Sequence, residues 1–299
     1  MKTYSLLDEV LSAQKASGAF YSFVRRNGEQ FPDENGFITA LVLHELAKVP
    51  KSNTVTPAVE KGLEFLKSCA SRVLPGTFHF YPPGLEPAWL GTHLPPDVDD
   101  TVLYTLTLVK HGALSSQRAS GMVEETLEPH RLHYRPESMP PWVRQGAYKT
   151  WLDRDIIPNP VDCCVNTNAA ALLKFLGKAE HPAYEAAVQT VTGGVHWVAR
   201  SPRLAGHLSP FYPHPAELYY SMKRAIEAGV KEFRQPLARW TQTLWGNRKP
   251  GENISAEHPV CGSHDAKTLW FSPPLAAART FTTLTAPPGV RIKKKKDRN

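Results

Sequence analysis

Three carboxylates lie within four residues of this sequence, and their spacing points to proton or cation chemistry. Asp97, Asp99 and Asp100 follow two prolines and shortly precede the apolar run 102–109. The run is too apolar to face water, so we expect the acids at the start of a buried helix. Carboxylates crowded beside an apolar interior do not all ionise readily, and at least one should keep its proton near neutral pH. Such a group is suited to donate a proton or to bind a cation.

The same order of residues recurs along the chain and predicts a repeated helix. A proline precedes an acid and an apolar run each time; Pro32, Pro96 and Pro160 are 64 residues apart, and Pro213 follows 53 later. Proline suits the first turn of a helix, and Asp or Asn beside it caps the exposed amides. A looser fifth repeat begins near Pro273. Glycines that suit left-handed helix ends lie 16 or 17 residues beyond the later prolines: Gly112, Gly177 and Gly229.

Amphipathic segments between the apolar ones complete the predicted fold. The segment that begins at Thr56 is one example, with Leu63 and Leu66 on its apolar face. Buried and half-exposed helices that alternate at a long period are typical of helical repeat architectures. We therefore predict an all-α fold, an α/α toroid of about five to six helical hairpins, as one domain over residues 1–289. The basic segment 290–299 is predicted to be a disordered tail.

The toroid would bring distant polar side chains to one opening, because its inner helices run parallel and all their N-termini lie at one end. The residues expected there are Asp33, Glu34, Asn35, Asp97, Asp99, Asp100, Asp162, Asn166, Asn168, Glu217, Tyr219 and Tyr220. The linkers 76–83, 140–142 and 209–212 are rich in Pro and aromatic residues, and long loops in a compact domain are often functional. They would supply aromatic walls, with further candidates in Trp89, Trp270 and Phe271.

The acidic segment resembles a motif of a known enzyme family. Asp97-Val98-Asp99-Asp100-Thr101 resembles the DxDDT motif of class II terpene cyclases such as squalene-hopene cyclases, which are themselves α/α toroids. The resemblance implies an enzyme that cyclises or isomerises a linear isoprenoid by protonation, with or without a diphosphate on the substrate. It maps the general acid onto Asp99, with Asp97 and Asp100 as its supports. Substrate contacts are then expected from Asp33, Asn35, Trp89, Asp162, Asn166, Asn168, Tyr219, Tyr220, Trp270 and Phe271.

The resemblance also implies partners and cofactors. It implies a small hydrophobic isoprenoid substrate and no cofactor, apart from Mg²⁺ if the substrate carries a diphosphate. Members of the family usually place the site between two helical domains, whereas this chain has room for one. Its own loops, or a second subunit such as a homodimer partner, would have to close the cavity.

Four alternatives to the terpenoid interpretation stay open from the sequence. Asp162, Cys164 and His214 offer a zinc set that resembles the Asp-x-Cys pair of protein prenyltransferases, since all three are zinc ligands. Acid pairs across a helical barrel also suit a carbohydrate hydrolase or lyase. A toroid that binds a hydrophobic ligand without catalysis is a third possibility. Simple helix capping would explain Asp33, Asp97 and Asp162, one acid per helix, but not Asp99 and Asp100.

Charge and composition exclude several other classes of function. The net charge is +7, but the tail 290–299 alone holds six basic residues and one aspartate, which leaves +2 for the rest. No basic face suggests nucleic acid, although the tail suits weak contact with an anionic membrane. No apolar stretch approaches the roughly 20 residues that span a bilayer, and the N-terminus does not resemble a signal peptide. Four cysteines, two of them adjacent, favour a reducing cytoplasm.

Overall fold

The computed structural model describes residues 2–153, 155–246 and 255–285, which are mainly helical. These ranges contain ten α-helices: α1 (Lys2–Ser12), α2 (Gly36–Leu46), α3 (Val55–Ser68), α4 (Val98–Lys110), α5 (Ser116–Met122), α6 (Cys163–Phe175), α7 (Pro182–Arg200), α8 (Ala216–Glu227), α9 (Arg234–Trp245) and α10 (Pro273–Thr285). They also contain four strands: β1 (Tyr21–Arg26), β2 (Glu29–Glu34), β3 (Cys261–Gly262) and β4 (Thr268–Phe271). The helices form a ring, and the strands form one sheet.

Five helices form the inner ring: α2, α4, α6, α8 and α10. α4 packs between α2 and α6, α6 packs against α8, and α10 packs against α2. A buried ion pair joins α8 to α10, where Arg279 donates to the two carboxylate oxygens of Glu217 at 2.6 and 2.7 Å. All 11 residues of α2 are buried. The apolar repeats therefore become the innermost helices, which exchange contact with water for contact with each other.

A second helix covers each inner helix from outside. α1 packs on α10, α3 on α2, α5 on α4, α7 on α6, and α9 on α8. These helices are amphipathic; α3, for example, buries Leu63 and Leu66 while Lys61 and Glu64 are exposed. The sequence pattern thus separates inner from outer helices correctly.

Polar side chains at the helix starts satisfy amides that have no partner within the helix. Asp97 accepts a hydrogen bond from the third amide beyond it at 2.7 Å, and Asp162 accepts one from the second amide beyond it at 2.6 Å. Both aspartates are therefore caps, as their positions predict. At α2 the cap is Asn35, which accepts from Ile38 N–H at 2.8 Å. Asp33 lies in β2 instead, so capping does not account for it.

The predicted glycine stops are present after three of the inner helices. Gly112, Gly177 and Gly229 have φ angles of 72°, 74° and 107°. These angles lie in the left-handed region, which glycine adopts without a steric penalty from Cβ. Each glycine lets the chain leave its inner helix in a tight turn toward the outside of the ring.

The all-α prediction is wrong, because the chain also forms a four-stranded antiparallel sheet in the order β2-β1-β4-β3. β1 and β2 form a hairpin whose turn is Asn27-Gly28, with φ angles of 54° and 82°. This dipeptide is itself a strong hairpin signal, which the longer helical repeat obscures. β4 precedes α10 near the other end of the described chain and pairs with β1. No local sequence pattern encodes that long-range pairing.

No helix within the described ranges has the length and apolarity needed to cross a bilayer. The basic tail that was predicted to be disordered, residues 290–299, lies outside these ranges.

Candidate active site

The acids lie at the end of the ring where α4 and α6 begin. Asp99 and Asp100 occupy the first turn of α4 and are 6% and 1% exposed. The unpaired amides of a first helical turn stabilise negative charge nearby. Burial has the opposite effect, because it removes the water that would solvate a carboxylate. The balance between these two effects differs from one acid to the next.

Asp99 has a hydrogen-bond donor on each carboxyl oxygen. Asn168 Nδ2 donates to Oδ1 at 2.7 Å, and the Tyr212 hydroxyl donates to Oδ2 in a short hydrogen bond. Burial raises the pKa of Asp99, while the bonds from Asn168 and Tyr212 act in the opposite direction. Burial therefore shifts Asp99 toward its protonated form, while the two donors stabilise its carboxylate once a proton leaves.

A buried arginine stands behind Asn168. Arg224 of α8 is 5% exposed and donates to Asn168 Oδ1 from Nε at 3.3 Å and from Nη2 at 2.7 Å. Since a guanidinium only donates, the amide oxygen must face Arg224 and the amide nitrogen must face Asp99. Within the described ranges Arg224 has no carboxylate at ion-pair distance. Asn168 thus links Arg224 to Asp99 through hydrogen bonds to both, and the arginine orients the amide so that it donates to Asp99.

Arg224 is not among the site residues predicted from the sequence. A signal was available, because Arg224 lies two helical turns after Glu217 on the same buried face of an otherwise amphipathic helix. Charged residues are rarely buried unless they are paired, so a charge on that face is informative. What it pairs with depends on α4 and α6, which the sequence of α8 does not reveal.

Asp100 differs from Asp99, because neither of its carboxyl oxygens has a hydrogen-bond partner in the part of the chain described. The Tyr104 hydroxyl lies beside it, but the two groups do not meet in a well-formed hydrogen bond. Burial, then the charges of Asp97 and Asp99, raise the pKa of Asp100 well above its ordinary value. Burial and the charge of Asp99 raise the pKa of Asp97 in the same way. Burial and like charge therefore both favour the protonated forms of Asp97 and Asp100.

Asp162 is a further buried acid at this end of the ring. Its Oδ1 accepts hydrogen bonds from the amides of Cys164 and Val165 at 2.6 and 3.3 Å, and its Oδ2 has no well-formed hydrogen bond within the described chain. Burial, followed by the charge of Asp99, raises the pKa of Asp162 to about 7. Asp162 thus caps α6 and retains its proton up to neutral pH.

The acid cluster opens into a cavity of about 450 Å³. Asp97, Asp99 and Asp100 all line it. Most of the other lining side chains are apolar, and six of them are aromatic: Phe37, Phe80, Trp151, Phe211, Tyr212 and Trp270. An apolar cavity with a few polar groups is the usual form of a small-molecule site.

Four of the aromatic side chains form a row of contacts along the cavity. Trp270 meets Phe80 at a centroid distance of 5.3 Å, Phe80 stacks on Phe37 at 6.1 Å, and Phe37 meets Tyr212 at 5.9 Å. Trp89 lies behind this wall, 6.2 Å from Trp270. Aromatic faces attract positive charge. A continuous aromatic wall therefore leads from the sheet to the hydroxyl that binds Asp99.

Two of the three aromatic linkers reach the cavity. The linker 76–83 supplies Phe80, and the linker 209–212 supplies Phe211 and Tyr212. Trp142 of the third linker is instead buried against Gly193 of α7. Residues 150–151 and 156–158, which were not predicted from the sequence, supply Trp151 and a rim of apolar residues.

Several predicted site residues have structural partners instead. Asn166 clamps the backbone of Tyr148, accepting from its N–H at 2.9 Å and donating to its carbonyl at 3.0 Å. Asn35 donates to Asp33 at 2.6 Å. Asp33 also accepts from Tyr81 at 2.7 Å and faces a separate cavity of about 340 Å³. None of these three side chains lines the main cavity.

Three predicted aromatic contacts also lie away from the cavity. Tyr219 packs edge-on against Trp245 of α9 at 5.9 Å, and the guanidinium of Arg279 covers the ring of Tyr220 at 3.8 Å. Phe271 stacks on Phe23 at 5.0 Å, on the opposite face of the sheet from Trp270. Side chains of successive strand residues point to opposite faces, so Trp270 and Phe271 cannot both face the cavity.

The structure does not assemble the zinc set Asp162, Cys164 and His214. Among the residues described, no three His, Cys, Asp or Glu side chains are placed to hold a metal ion. Burial raises the pKa of the Cys164 thiol well above its ordinary value, so the thiolate that binds zinc is disfavoured. His214 stacks on His258 at 4.1 Å and accepts from the Ala216 amide through Nδ1.

Comparisons with known proteins find structural similarity without a sequence match. No family model matches the chain, and no curated protein matches it. The chain is similar to type II terpene cyclase MstE from Scytonema without ligand, at 14% identity and a TM-score of 0.48, over 94% of this chain and 96% of that one. A variant of MstE in complex with its product, merosterolic acid A, gives 14% identity, a TM-score of 0.49 and 94% of each chain.

A protein from Actinoplanes is similar at 19% identity and a TM-score of 0.49, over 96% of this chain and 75% of that one. Similarity at this level does not define the family of the chain. The function of the chain must therefore be inferred from the residues of the cavity.

Proposed function

We propose that the chain is a terpene cyclase-like enzyme that protonates a linear isoprenoid and so starts its cyclisation or isomerisation. The observation that carries the proposal is the position of Asp99. It is a buried carboxyl with a donor on each oxygen, and it lines an aromatic cavity. Protonation of a carbon–carbon double bond needs a neutral acid that is shielded from water. Burial shields Asp99 from water and raises its pKa, which favours the neutral form.

Asp99 is better suited to donate the proton than Asp100. Loss of a proton leaves a carboxylate, which in a buried site needs hydrogen bonds to be stable. Asp99 has donors in Asn168 and Tyr212 with Arg224 behind them, whereas Asp100 has no hydrogen-bond partner among the described residues. In our proposal Asp97 and Asp100 keep their own protons, so that no charged neighbour opposes ionisation of Asp99.

The proposed step balances in protons and electrons. The π electrons of a substrate alkene form a C–H bond with the Asp99 proton, the O–H bond breaks, and a carbocation and the Asp99 carboxylate result. Attack by a second alkene closes a ring and moves the positive charge to a new carbon. Loss of a proton from a neighbouring carbon, to the Asp99 carboxylate or to water, then quenches the cation. Asp99 regains a proton before the next turnover. No oxidant, reductant or metal ion takes part in this step.

The aromatic wall would protect the cation until it is quenched. Faces of Phe80, Trp270 and Tyr212 offer negative electrostatic potential without a nucleophilic atom at the ring face. The apolar residues around them limit the water that would trap the cation as an alcohol. The enzyme is predicted to require Mg²⁺ only if its substrate carries a diphosphate.

The substitution Asp99→Asn tests the proposal. Asn is nearly isosteric but has no acidic proton, so turnover of linear prenyl substrates, followed by mass spectrometry of products, should be lost. Helicity and the melting temperature should change little. The matched control is Asp33→Asn, a buried aspartate outside the main cavity, which should retain turnover. Retained turnover in Asp99→Asn would show that Asp99 is not the donor, and hydrolysis of a polysaccharide panel by the wild type would favour the carbohydrate alternative.

A further inference from the structure

Arg26 is the last residue of β1 and lines the main cavity. Its partner across the sheet is Thr268 of β4, which also lines the cavity. Residues opposite each other in an antiparallel pair have side chains on the same face. Arg26 and Thr268 therefore lie side by side on the cavity face, two residues along β4 from Trp270, a step of about 7 Å.

The hydrogen bonds of Arg26 orient its guanidinium but do not neutralise it. Nη1 donates to the carbonyl of Trp89 in a short hydrogen bond and to that of Leu90 at 3.3 Å. Both acceptors are neutral. Across the described ranges, no carboxylate forms an ion pair with Arg26, and no acceptor is bound to its Nε or Nη2. One edge of the guanidinium is thus left without a partner.

The neighbouring arginine shows how this sheet neutralises a positive charge elsewhere. Arg25 points to the opposite face, where it forms an ion pair with Glu257 at 2.7 Å. Its guanidinium also lies over the rings of Phe23 and Phe271, at 5.3 and 4.6 Å. Arg25 and Arg26 are adjacent in β1 but differ in whether their positive charge is neutralised within the protein. Arg25 has its counter-ion within the protein, and Arg26 does not.

From this contrast we infer that Arg26 binds a singly charged oxyanion, a carboxylate, at the head of the isoprenoid substrate. Nε–H and Nη2–H form the parallel fork that matches the two oxygens of a carboxylate. Thr268 is paired with Arg26 across the sheet, and its hydroxyl, which has no hydrogen-bond partner in the described chain, would add a donor. This inference rests on the proposed function, since it assumes that the cavity holds an isoprenoid.

The charges of the cavity favour a carboxylate over a diphosphate. Among the described residues that line the cavity, Arg26 is the only Lys or Arg. A diphosphate carries several negative charges and is usually bound with several cations or through Mg²⁺. One guanidinium balances one carboxylate.

The position of Arg26 also sets the direction of the substrate. The aromatic wall runs from Trp270, near Arg26, through Phe80 and Phe37 to Tyr212, which binds Asp99. A head group at Arg26 therefore directs the hydrocarbon chain along this wall. Protonation then takes place at a double bond remote from the head group.

Binding of saturated prenyl-type chains tests the inference separately from the chemistry, because a chain without alkenes cannot be protonated. Four probes of one chain length would end in a carboxylate, a phosphate, a diphosphate or an alcohol. Binding can be followed through the fluorescence of Trp151 and Trp270, which line the cavity. The proteins to compare are the wild type, Arg26→Gln, Arg26→Lys and the matched control Arg25→Gln.

We expect the wild type to bind the carboxylate most tightly. Arg26→Gln should weaken carboxylate binding by roughly 10- to 100-fold, the range of a charge-assisted pair, and leave the alcohol within about threefold. Arg26→Lys should recover part of the loss, because charge is restored without the fork. Arg25→Gln should resemble the wild type with every probe.

Two results would overturn the inference. An equal loss for carboxylate and alcohol in Arg26→Gln would mean that Arg26 only holds the Trp89–Leu90 segment in place. Tighter binding of the diphosphate than of the carboxylate would mean that more cations than Arg26 reach the head group. The two proposals can also fail separately. If Arg26→Gln loses the preference for the carboxylate while Asp99→Asn keeps its turnover, the head-group site is supported and the proposed proton donor is refuted.

Discussion

Replacement of Asp162 by Asn should make the protein more stable at alkaline pH than the wild type. Asp162 is 0% exposed, and burial raises its pKa from 3.8 to about 7. The folded state therefore holds this proton more tightly than the unfolded state. The contribution of Asp162 to stability is fully present below about pH 4 and is lost as the pH rises toward 7. Asn keeps an oxygen that can cap α6 but has no proton to lose.

The size of the effect follows from the shift. Each pKa unit corresponds to about 1.4 kcal/mol, so the penalty on wild-type folding grows by about 3 kcal/mol between pH 5 and pH 8. The free energy of unfolding of Asp162→Asn minus that of the wild type should rise by this amount over the interval. Other buried acids are present in both proteins, and their contributions largely cancel in the difference. In the wild type, ionised Asp162 also opposes ionisation of Asp99. Asp162→Asn removes this repulsion, which further increases the stability of the variant over the wild type at high pH.

Urea unfolding at pH 5, 6, 7 and 8, followed by circular dichroism, measures the difference. Asp153→Asn is the matched control, because Asp153 is exposed and also accepts a backbone amide, that of Asp155 at 2.9 Å. The same measurement at this exposed position separates the effect of burial from that of the substitution itself. A difference for Asp162→Asn that stays constant within about 0.5 kcal/mol from pH 5 to pH 8 would refute burial as the dominant influence on this carboxyl group.

Two further substitutions test the acid and the ring. Tyr212→Phe removes one hydrogen-bond donor from Asp99, so kcat should fall by about tenfold or more and the pH above which activity declines should move upward. Tyr104→Phe is the control, because the Tyr104 hydroxyl has no hydrogen-bond partner among the described residues. Its kcat should stay within about threefold of the wild-type value. An unaltered pH profile in Tyr212→Phe would contradict the role of that hydroxyl. Glu217→Gln should lower the free energy of unfolding, measured by chemical denaturation, by about 3–5 kcal/mol, because it leaves Arg279 buried without its counter-ion. The double variant Glu217→Gln/Arg279→Met should recover part of this loss of stability. A double variant no more stable than Glu217→Gln would show that the unpaired charge is not the cause.

Local sequence determined the helices of the ring and their starts. An apolar run long enough to form a helix must be buried, and a proline with a nearby Asp or Asn fixes where the helix begins. Asp97 and Asp162 cap as their spacing predicts, and Gly112, Gly177 and Gly229 end helices in the left-handed conformation. These features depend on contacts within a few residues, so they can be predicted without the rest of the chain.

Local sequence also predicted the crowding of acids at one end of the ring. Burial, followed by the charges of neighbouring acids, raises the pKa values of Asp97 and Asp100, whereas the pKa of Asp99 is raised by burial and not by the expected repulsion from its neighbours. It did not separate cavity residues from their neighbours. Trp270 and Phe271 are adjacent and aromatic, yet only Trp270 lines the cavity. The pleat of β4 decides between them, and β4 exists as a strand because it pairs with β1.

Tertiary structure alone decided which groups meet Asp99 and which charge stays unpaired. Asn168, Tyr212 and Arg224 come from α6, a loop and α8, and only closure of the ring brings them to one carboxyl group. Arg25 and Arg26 are chemically identical in the sequence, and the sheet gives a counter-ion to one of them. Hydrogen bonds and ion pairs form between whichever groups packing brings within about 3 Å of each other, at any separation along the chain. For that reason the sequence predicts the chemistry available to this protein, whereas its geometry depends on the fold.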